Sequence, residues 1–327
     1  MKPHFGAVAE YRHGAPGVDG VRDLARHRRA LRDLVAAGDP ANTVVHCEFS
    51  GGALVPFWST TGLRRVRVTG TVHDGPWPVW WPLRTRGIAA RTLIHHGLHY
   101  PVRPVHHLLE RRAMAGRTLF ALTDAGGREV TRRMPGSRIV VARHHVPLRG
   151  PIAAAEDRPA AIGLFGHVYK GKGFDKLARM RELVRPDVVI RVAGRGTEDL
   201  DPIDGVEILG GVDGPAEDAF FGSVRAIVLP YDKRSHYGEV FPASGVLMRA
   251  VAYRTPVVCS GYGALADERE DRGIVPVRGG FDELFTVADE IVHDRARLAG
   301  LRAGIDTLAR TGDIEETAAV FLEEWAR

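Results

Sequence analysis

A turn rich in glycine and lysine follows the apolar run AIGLF at residues 161–165. The whole segment reads AIGLFGHVYKGKGFDKL, and an amphipathic helical pattern begins directly after the turn. Glycines allow a backbone to approach a ligand closely, and the first N–H groups of a helix have no partner within the helix. A strand, a glycine turn and a helix start in this order are typical of an anion site. We therefore expect the turn to bind a phosphate.

Two known phosphate-binding motifs match this half of the chain only in part. The segment GHVYKGKG fits G-x-x-x-x-G-K-[ST] except at Gly173, where a hydroxyl would hold Mg²⁺, and no later predicted strand ends in an acidic residue. The segment VAGRG has Gly194 and Gly196 but lacks the third glycine of a dinucleotide fingerprint. A P-loop-like nucleotide-binding enzyme therefore stays open as the third alternative.

Five segments in one order carry a family resemblance. GHVYKGKGFDKL, VAGRG, ILGGV, AIVLPY and SGVLMRAVAYRTPVV together resemble the donor-binding half of retaining GT-B glycosyltransferases of the group 1 family, over about residues 160–262. VVHCEFSGG and TVHDG extend the resemblance weakly into the first half. This family moves sugars from nucleotide diphosphates. The resemblance therefore implies a hexosyltransferase with a nucleotide diphosphate sugar as donor and no cofactor.

The resemblance assigns donor-binding roles around the opening turn. Gly166, Lys172 and Gly173 match the family pattern, whereas His167 stands where the family has an arginine. In the family the two basic side chains contact the donor diphosphate, so Lys172 is expected to be both a donor ligand and a catalytic cation. Gly194 in VAGRG is expected to line the same site.

A second family signature departs from its pattern. The family has two glutamates eight positions apart, ahead of Pro-Val-Val, and counting back from Pro256 these places hold Phe241 and Arg249. Neither side chain can accept a hydrogen bond from a ribose or a sugar. The departure leaves a catalytically degenerate binding or regulatory subunit of the same fold open as the main alternative.

The part of this signature that the sequence keeps is the start of a helix. Ser244 is a natural N-cap, and the N–H groups that follow it, with Gly245 and Val246, are expected to meet the donor. Some branches of the family also have Ser-Gly here. Glu239, two residues before the first missing glutamate, is the candidate catalytic substitute.

The first half offers candidate residues at two predicted strand ends. His73 and Asp74 follow the strand RVRVTG, and Glu48 lies in VVHCEFSGG. In the family a histidine at a similar strand end touches the donor sugar or the acceptor, so the resemblance implies a catalytic role for His73. We expect Glu48, His73 and Asp74 to bind the acceptor. A structural histidine in a capping turn is the alternative for His73.

Charge divides the chain near its midpoint. Residues 1–150 contain 23 Lys and Arg against 10 Asp and Glu, whereas residues 151–327 contain 22 against 30. The segment RGPIAAAEDRPA between them has the composition of a linker. This asymmetry predicts two domains, over 1–150 and 151–327. The resemblance implies that the first binds the acceptor and the second binds the donor.

Residues 75–117 are strongly basic and contain seven arginines, one glutamate, five histidines and three tryptophans. Arginine mixed with tryptophan suits an anionic or lipid-linked acceptor, or peripheral contact with an anionic membrane. A solvated basic face over a buried tryptophan cluster is the alternative. His95, His96 and His99 have a spacing compatible with zinc but no evident third ligand, so we predict no metal. No nucleic-acid recognition motif is visible, so we predict no nucleic-acid partner.

Two isolated cysteines and the absence of long apolar runs indicate the compartment. Cys47 and Cys259 each lie in a strand-like apolar run, which predicts buried thiols rather than nucleophiles or a disulfide. No run approaches the length of a membrane span, and the start lacks a signal-peptide core. We expect a cytoplasmic protein with a peripheral position at the inner membrane face.

The elements that position these residues alternate between strand and helix. Strands are predicted at NTVVHCEF, RVRVTGTVHD, RTLFALTD, SRIVVARHH, AIGLFG, DVVIRVAG, VEILGG, AIVLPY, TPVVCSG and IVPVRG. Helices are predicted at Val18–Ala37, Val105–Ala115, Phe174–Val184, Ala216–Val224, Ser244–Tyr253 and Phe281–His293. Such alternation predicts two doubly wound α/β domains of Rossmann-like type facing a cleft. The resemblance implies that this is the GT-B arrangement. A last helix, Ile314–Trp325, is expected to pack back on the first domain.

The expected reaction is a metal-independent sugar transfer. No D-x-D-like motif is placed at a strand end near the turn. Lys172 and the helix starts at Gly173 and Ser244 are expected to neutralise the departing diphosphate instead. By resemblance, the anomeric configuration is retained, and the leaving phosphate helps to deprotonate the acceptor.

Overall fold

A computed structural model describes residues 5–11, 18–50, 54–81, 83–169, 171–235 and 238–327. The chain forms two compact units. Unit 1 comprises Met1–Arg143, Phe241–Ala243 and Ala318–Arg327, and unit 2 comprises His144–Val240 and Ser244–Thr317. None of the helices traced through the described residues is long and apolar enough to cross a bilayer.

Unit 1 is built on a parallel sheet. Its strands are β1 (Val44–Phe49), β2 (Arg67–Val72), β3 (Asp74–Gly75), β4 (Thr118–Ala121) and β5 (Arg138–Val141). Its helices are α1 (Val21–Ala36), α2 (Leu54–Thr60), α3 (Arg86–Ala89), α4 (Thr92–Met114) and α5 (Asp124–Arg133). The sheet has the order β1-β2-β4-β5. Gly70 in β2 is required by packing, because a Cβ there would lie 2.2 Å from the Phe49 ring.

Unit 2 is built on a longer parallel sheet. Its sheet strands are β6 (Ala161–Phe165), β7 (Val189–Ala193), β8 (Val206–Ile208), β9 (Ala226–Leu229), β13 (Val257–Ser260) and β14 (Ile274–Val277). A separate hairpin is formed by β10 (Arg234–Ser235) and β11 (Gly238–Glu239), and the strand that follows it, β12 (Phe241–Pro242), belongs to unit 1. The helices of unit 2 are α6 (Leu177–Leu183), α7 (Pro215–Gly222), α8 (Gly245–Ala252), α9 (Phe281–His293) and α10 (Arg295–Thr311). The sheet has the order β14-β13-β9-β6-β7-β8.

Both faces of the unit 2 sheet are covered. Ile162, Leu164 and Val228 pack into one apolar cluster, whereas Phe165 and Leu229 pack into another. Side chains alternate across a strand, so residues of the same strand enter cores on opposite faces. Helices on both faces make this a doubly wound sheet, as its continuous apolar strands predict.

The last helix, α11 (Ile314–Ala326), contributes its C-terminal part to unit 1. Phe321 stacks on Phe120 of β4 at 4.2 Å between ring centroids. Glu324 accepts two hydrogen bonds of 2.8 Å from the Arg138 guanidinium. The Trp325 indole donates to the Thr69 hydroxyl at 3.0 Å. An apolar stack and a bidentate ion pair therefore fix the end of the chain within unit 1.

Helix α4 differs from the sequence-based expectation. The predicted helix began at Val105, but the observed helix begins at Thr92 and continues through Pro101 and Pro104. Each proline removes one N–H donor from the helix, which normally breaks it. Here the carbonyls that lose their donors belong to the exposed residues Gly97 and Tyr100, where water can hydrate them.

Candidate functional site

The carboxyl ends of β6 and β7 lie close together, and the residue that follows each strand is a glycine, which has no side chain. Gly166 and Gly194 follow these strands with φ of 122° and 131°. A Cβ on Gly194 would lie 2.1 Å from the carbonyl oxygen of Gly166. Only glycine fits at Gly194, both by conformation and by space. The two strand ends therefore present bare backbone at this edge of the sheet.

Lys172 lies over this bare backbone. Its Nζ is 3.2 Å from the position that a Cβ on Gly166 would occupy. The ammonium also lies 4.6 Å from the Tyr169 ring centroid and 5.5 Å from that of Tyr231, distances typical of cation–π contacts. Gly173 has φ of 83°, and a Cβ there would lie 2.8 Å from Pro230. The predicted turn residues Gly166, Lys172 and Gly173 thus come together at one place.

Helix α8 begins beside the same turn. Ser244 is its N-cap and accepts a hydrogen bond from the Leu247 N–H at 3.2 Å. Its hydroxyl also hydrogen-bonds the Tyr231 phenol at 3.0 Å, and burial raises the pKa of Tyr231 to about 12. Val246 lies 3.1 Å from the Cβ position of Gly166. The N-terminus of α8, with Ser244, Gly245 and Val246, therefore adjoins Lys172.

A group of cations surrounds the exposed His167. Desolvation lowers the pKa of this ring, and the charges of Arg195, Lys172 and Arg249 lower it further. Arg249 lies with its guanidinium 5.4 Å from the Phe165 ring centroid. The sequence alone indicated only that a glutamate was missing at 249. The structure shows that the replacement adds a positive charge beside the predicted phosphate turn, and Arg195 was missed altogether.

The remaining predicted residues of the second signature lie elsewhere. Glu239 is exposed in β11, which pairs with β10. Phe241 lies in β12, opposite Gly75 of β3, and so belongs to unit 1. Phe241 therefore serves strand pairing within unit 1, whereas the family pattern has a glutamate at this place. Lys170 of the opening turn lies outside the described residues.

In unit 1, Glu48 and His73 form a hydrogen-bonded pair. Phe49 and Val72 are register partners at the carboxyl ends of β1 and β2, which places Glu48 and His73 side by side. His73 Nε2 donates to Glu48 Oε2 at 2.6 Å. The other carboxylate oxygen lies 3.1 Å from His46 Nε2, a ring that the sequence analysis did not single out.

The electrostatics of this pair favour the ionised forms. Burial would raise the pKa of Glu48, but hydrogen bonds from His46 and His73 outweigh it and lower the pKa to about 2. Burial would lower the pKa of His73, but the hydrogen bond and charge of Glu48 and the charge of Asp74 raise it. The pair thus combines an ionised carboxylate, which accepts hydrogen bonds, with an imidazole ring that readily holds a proton.

Asp74 is held through its backbone next to the pair. It begins β3, and its carbonyl accepts a hydrogen bond of 2.7 Å from the Trp80 indole. The structure thus brings together Glu48, His73 and Asp74, the three residues that the sequence proposed for the acceptor.

One expectation for the basic segment, that its tryptophans anchor at a membrane, is corrected. Trp77 and Trp80 are buried, so they do not anchor at a membrane; they pack because β3 and α4 enclose them. His96 and His99 do not form the metal-capable group, and the side chain of His95 lies outside the described residues. Among described side chains, that group is His106, His107 and Glu110.

Both cysteines are buried thiols, as expected. Burial raises the pKa of Cys47 to about 12 and that of Cys259 even further. A thiol with a raised pKa is a poor nucleophile at neutral pH. The two cysteines therefore belong to the cores of the two sheets.

Comparison with known sequences finds a partial match in one curated protein. No family model matches the chain. A phosphatidyl-myo-inositol mannosyltransferase from Propionibacterium freudenreichii subsp. shermanii is 31% identical over 134 residues, which cover 40% of this chain and 32% of the relative. The matched stretch thus spans about a third of that protein's length.

Solved structures resemble the chain over most of its length. A mutant of S. aureus TarM in complex with fondaparinux, alpha-GlcNAc-glycerol and UDP superposes with a TM-score of 0.66 at 14% identity, covering 93% of this chain and 59% of TarM. Anabaena HepE in complex with UDP and glucose gives 0.63 at 14% identity, covering 93% and 81%. The trehalose 6-phosphate synthase of Burkholderia multivorans gives 0.60 at 12% identity, covering 94% and 77%. The chain has the GT-B fold.

Proposed function

We propose that the protein transfers a hexose from a nucleotide diphosphate sugar to an acceptor, with the donor bound by unit 2. The observation that carries this proposal is the position of Lys172 over the bare backbone of Gly166, beside the N-terminus of α8. A diphosphate needs positive charge and N–H donors at close range, and this turn supplies both. The UDP in the TarM and HepE structures and the mannosyltransferase relative support the same chemistry.

In this proposal the departing diphosphate is stabilised by protein groups. Negative charge grows on the phosphate oxygen as its bond to the anomeric carbon breaks. Lys172, Arg195 and Arg249 offer positive charge there, and α8 offers the N–H groups at its N-terminus. Groups held in place before the reaction stabilise such charge without reorganising. The transfer therefore needs no divalent ion to neutralise the leaving group.

Unit 1 supplies the acceptor side of the proposal. The Glu48 carboxylate and the His73 ring can hydrogen-bond an acceptor hydroxyl at the carboxyl edge of the sheet. In a retaining transfer the acceptor oxygen bonds to the anomeric carbon on the face that the phosphate leaves. The acceptor proton passes to the departing phosphate oxygen. His73 then orients the acceptor and is not required as the base.

The exposed face of α4 supports a lipid-linked acceptor and peripheral contact with an anionic membrane. Leu93 is 90% exposed, and Val105, Leu108 and Leu109 are each about half exposed along the same helix. An apolar helix face in water costs free energy that burial in a bilayer interface recovers. The partial relative is a phosphatidyl-myo-inositol mannosyltransferase, named for a phosphatidyl lipid, which agrees with this acceptor class.

A basic cavity at the end of α4 adds charge to this surface. The cavity has a volume of about 590 Å³ and lies at the amino ends of β2, β4 and β5, opposite the Glu48–His73 edge. Its charged lining consists of Arg64, Arg65, Arg67, Arg112, Arg117, Arg138, Arg327 and Glu324. Because it lies away from the acceptor pair, its arginines suit membrane phosphates better than an acceptor at Glu48 and His73.

Nucleotide binding tests the donor assignment first. A thermal-shift panel of UDP, GDP, ADP and TDP, followed by the matching sugar donors, should show one nucleotide that raises the melting temperature. NMR of the product's anomeric proton then reports the stereochemical outcome. Inversion would contradict the retaining mechanism and make the His73–Glu48 pair the base. If none of the nucleotides raised the melting temperature, the donor site itself would be contradicted.

A binding or regulatory role without turnover is the second candidate. It is favoured by Phe241, which pairs with β3 in unit 1, at the place where the family has a glutamate. A nucleotide-dependent thermal shift without hydrolysis or transfer, over a panel of lipid and sugar acceptors, would support this alternative.

A further inference from the structure

Helix α4 has an inverted distribution of polar and apolar residues. Its buried face carries His99, His106 and Glu110, whereas leucine and valine side chains face outward. Core-facing helices normally bury an apolar stripe. Burying a polar group without a hydrogen-bond partner costs free energy, because the group loses its bonds to water. The buried polar groups of α4 therefore need interactions that offset this cost.

Contacts of Glu110 and His106 leave three polar atoms unsatisfied. Glu110 is fully buried, and its Oε1 accepts the Val79 N–H at 2.7 Å. The other oxygen, Oε2, and both ring nitrogens of His106 have no hydrogen-bond partner among the described residues. His106 Nδ1 and Glu110 Oε2 are 4.0 Å apart, which is too far for a hydrogen bond. A proton on one of these two atoms therefore cannot form a hydrogen bond to the other, and both atoms stay without a partner.

We propose that His106, His107 and Glu110 bind a divalent transition-metal ion, with zinc as the preferred metal. Each residue offers one ligand atom, and these atoms all lie within 4.8 Å of one another. Two imidazoles and a carboxylate are a known zinc ligand set, with a fourth position left for water or another group. Bond lengths of about 2.0–2.2 Å in a tetrahedral site would draw the ligand atoms to about 3.3–3.6 Å apart, a small rearrangement of side chains.

Protonation states suit metal binding at neutral pH. Burial lowers the pKa of His106 to about 4 and that of His107 to about 3, so both rings are neutral and able to ligate. Burial raises the pKa of Glu110, so the metal replaces a proton at this carboxylate. The charges that face the cluster, those of Arg103, Arg111 and Arg133, oppose a cation and limit its affinity.

Neighbouring groups give the site an orienting contact and an entry. The Val79 N–H fixes the Glu110 carboxylate, as groups outside a metal's ligand set usually do. His107 is only partly buried, which leaves an edge for a metal to enter. Its ring stacks on Trp77 at 3.6 Å. The metal would therefore be held by α4 alone and reach the segment around Val79 only through the Glu110 carboxylate, a structural role separate from donor chemistry in unit 2.

Metal content and Co²⁺ absorption test this site in the full-length protein. After incubation with ZnCl₂ and desalting, mass spectrometry of the digested sample should find about one zinc per chain. Co²⁺ loading should give the intense visible bands of a tetrahedral site with protein ligands. Glu110→Gln and His107→Gln should each lower the zinc content to less than about a tenth. His145→Ala, a histidine outside the cluster, should leave zinc content unchanged.

The outcomes separate a metal from simpler occupants. Zinc that raises the melting temperature of the parent protein but not of Glu110→Gln supports the site. A parent protein that retains no zinc, gives no Co²⁺ bands and shows no zinc-dependent shift would overturn it. A water molecule or a protonated Glu110 would then fill the role. If a variant does not fold, chelator competition against the Co²⁺ bands of the parent protein still decides.

Discussion

Arg249 in the last turn of α8 and Glu217 in the first turn of α7 form an ion pair. Arg249 Nη1 donates to Glu217 Oε2, and Arg149 reaches the other carboxylate oxygen at 3.2 Å. Glu217 is only 2% exposed, so its carboxylate depends on these two arginines. A buried carboxylate needs a cation beside it, which explains why an arginine, and not the glutamate of the family pattern, occupies position 249.

Restoring that glutamate should therefore destabilise the protein. Arg249→Glu places two carboxylates side by side and removes one partner of a buried charge. Because the Arg249 side chain is partly exposed, we expect a loss of about 1–3 kcal/mol in the free energy of unfolding, measured by urea titration. Arg295→Glu, at an exposed ion pair with Asp157, should change it by about 0.5 kcal/mol or less. Equal effects of the two variants would contradict the role of Glu217.

Lys172 should contribute to donor affinity. A hydrogen bond to a charged group contributes roughly 1.5–3 kcal/mol, so Lys172→Ala should weaken nucleotide-sugar binding or turnover by about 10- to 150-fold. Titration calorimetry and initial rates measure the two quantities. Lys176→Ala is the matched control, since this nearby lysine pairs with Asp232 at 3.2 Å. Donor affinity and rate that stay unchanged in Lys172→Ala would remove this residue from the site.

The Glu48–His73 pair should show in an NMR titration. Glu48 raises the pKa of His73, so Glu48→Gln should lower it, and the ring resonances of His73 should shift at a lower pH. The free energy of unfolding also depends on pH through these two groups. The contribution of Glu48 is present above its unfolded pKa of about 4.5 and is lost as the pH falls toward 2.

The contribution of His73 has the opposite dependence. It is full below the unfolded pKa of about 6.5 and is lost as the pH rises through the raised folded pKa. The pair therefore stabilises unit 1 between these limits. Glu239→Gln, at an exposed position in unit 2, is the control and should leave the His73 titration in place.

Sugar transfer should proceed without a divalent ion. Lys172 and the N-terminus of α8 replace the metal that other transferases place against the diphosphate, so short incubation with EDTA should leave the initial rate unchanged. A loss that Mg²⁺ restores would favour the P-loop alternative. A loss that Zn²⁺ restores and Mg²⁺ does not would instead point to the His106–Glu110 cluster.

Membrane contact should depend on α4. Liposome flotation should increase with the fraction of anionic lipid and decrease with salt, since each nearby arginine contributes on the order of 1 kcal/mol. Leu93→Ser combined with Leu108→Ser should lower bound protein by about tenfold or more. Leu148→Ser is the control, because Leu148 is 90% exposed but lies in unit 2. Absence of flotation at any lipid composition would contradict the membrane proposal.

Local patterns were sufficient for most of the fold. The apolar runs of unit 2 predicted β6, β7, β8, β9, β13 and β14, because buried parallel strands are continuously apolar. The observed α9 has the predicted bounds, Phe281–His293. The start of α4 was missed because Pro101 and Pro104 predict a break locally, whereas their position on the exposed side of the helix is a tertiary property.

The site was predictable where it depends on neighbours in sequence. The turn from Gly166 to Gly173 and the cap at Ser244 are local features, and the structure places them together. The cation at Arg249 was misjudged because its partner, Glu217, is 32 residues away. Trp77 and Trp80 were considered as membrane anchors because composition does not tell which face a side chain occupies. Burial, register and long-range pairing are set by the whole fold.

The division of the chain restricts how the protein can be cut. Residues 241–243 and 318–327 belong to unit 1, although both segments follow stretches of unit 2. A gene fragment that stops at Arg143 would lack β12 and the end of α11. Phe120 would lose the stacking ring of Phe321, and Arg138 would lose its bidentate partner Glu324. Exchanging halves with a relative by a single crossover should therefore yield an aggregation-prone chimera, whereas an exchange that also carries residues 241–243 and 318–327 should remain well folded.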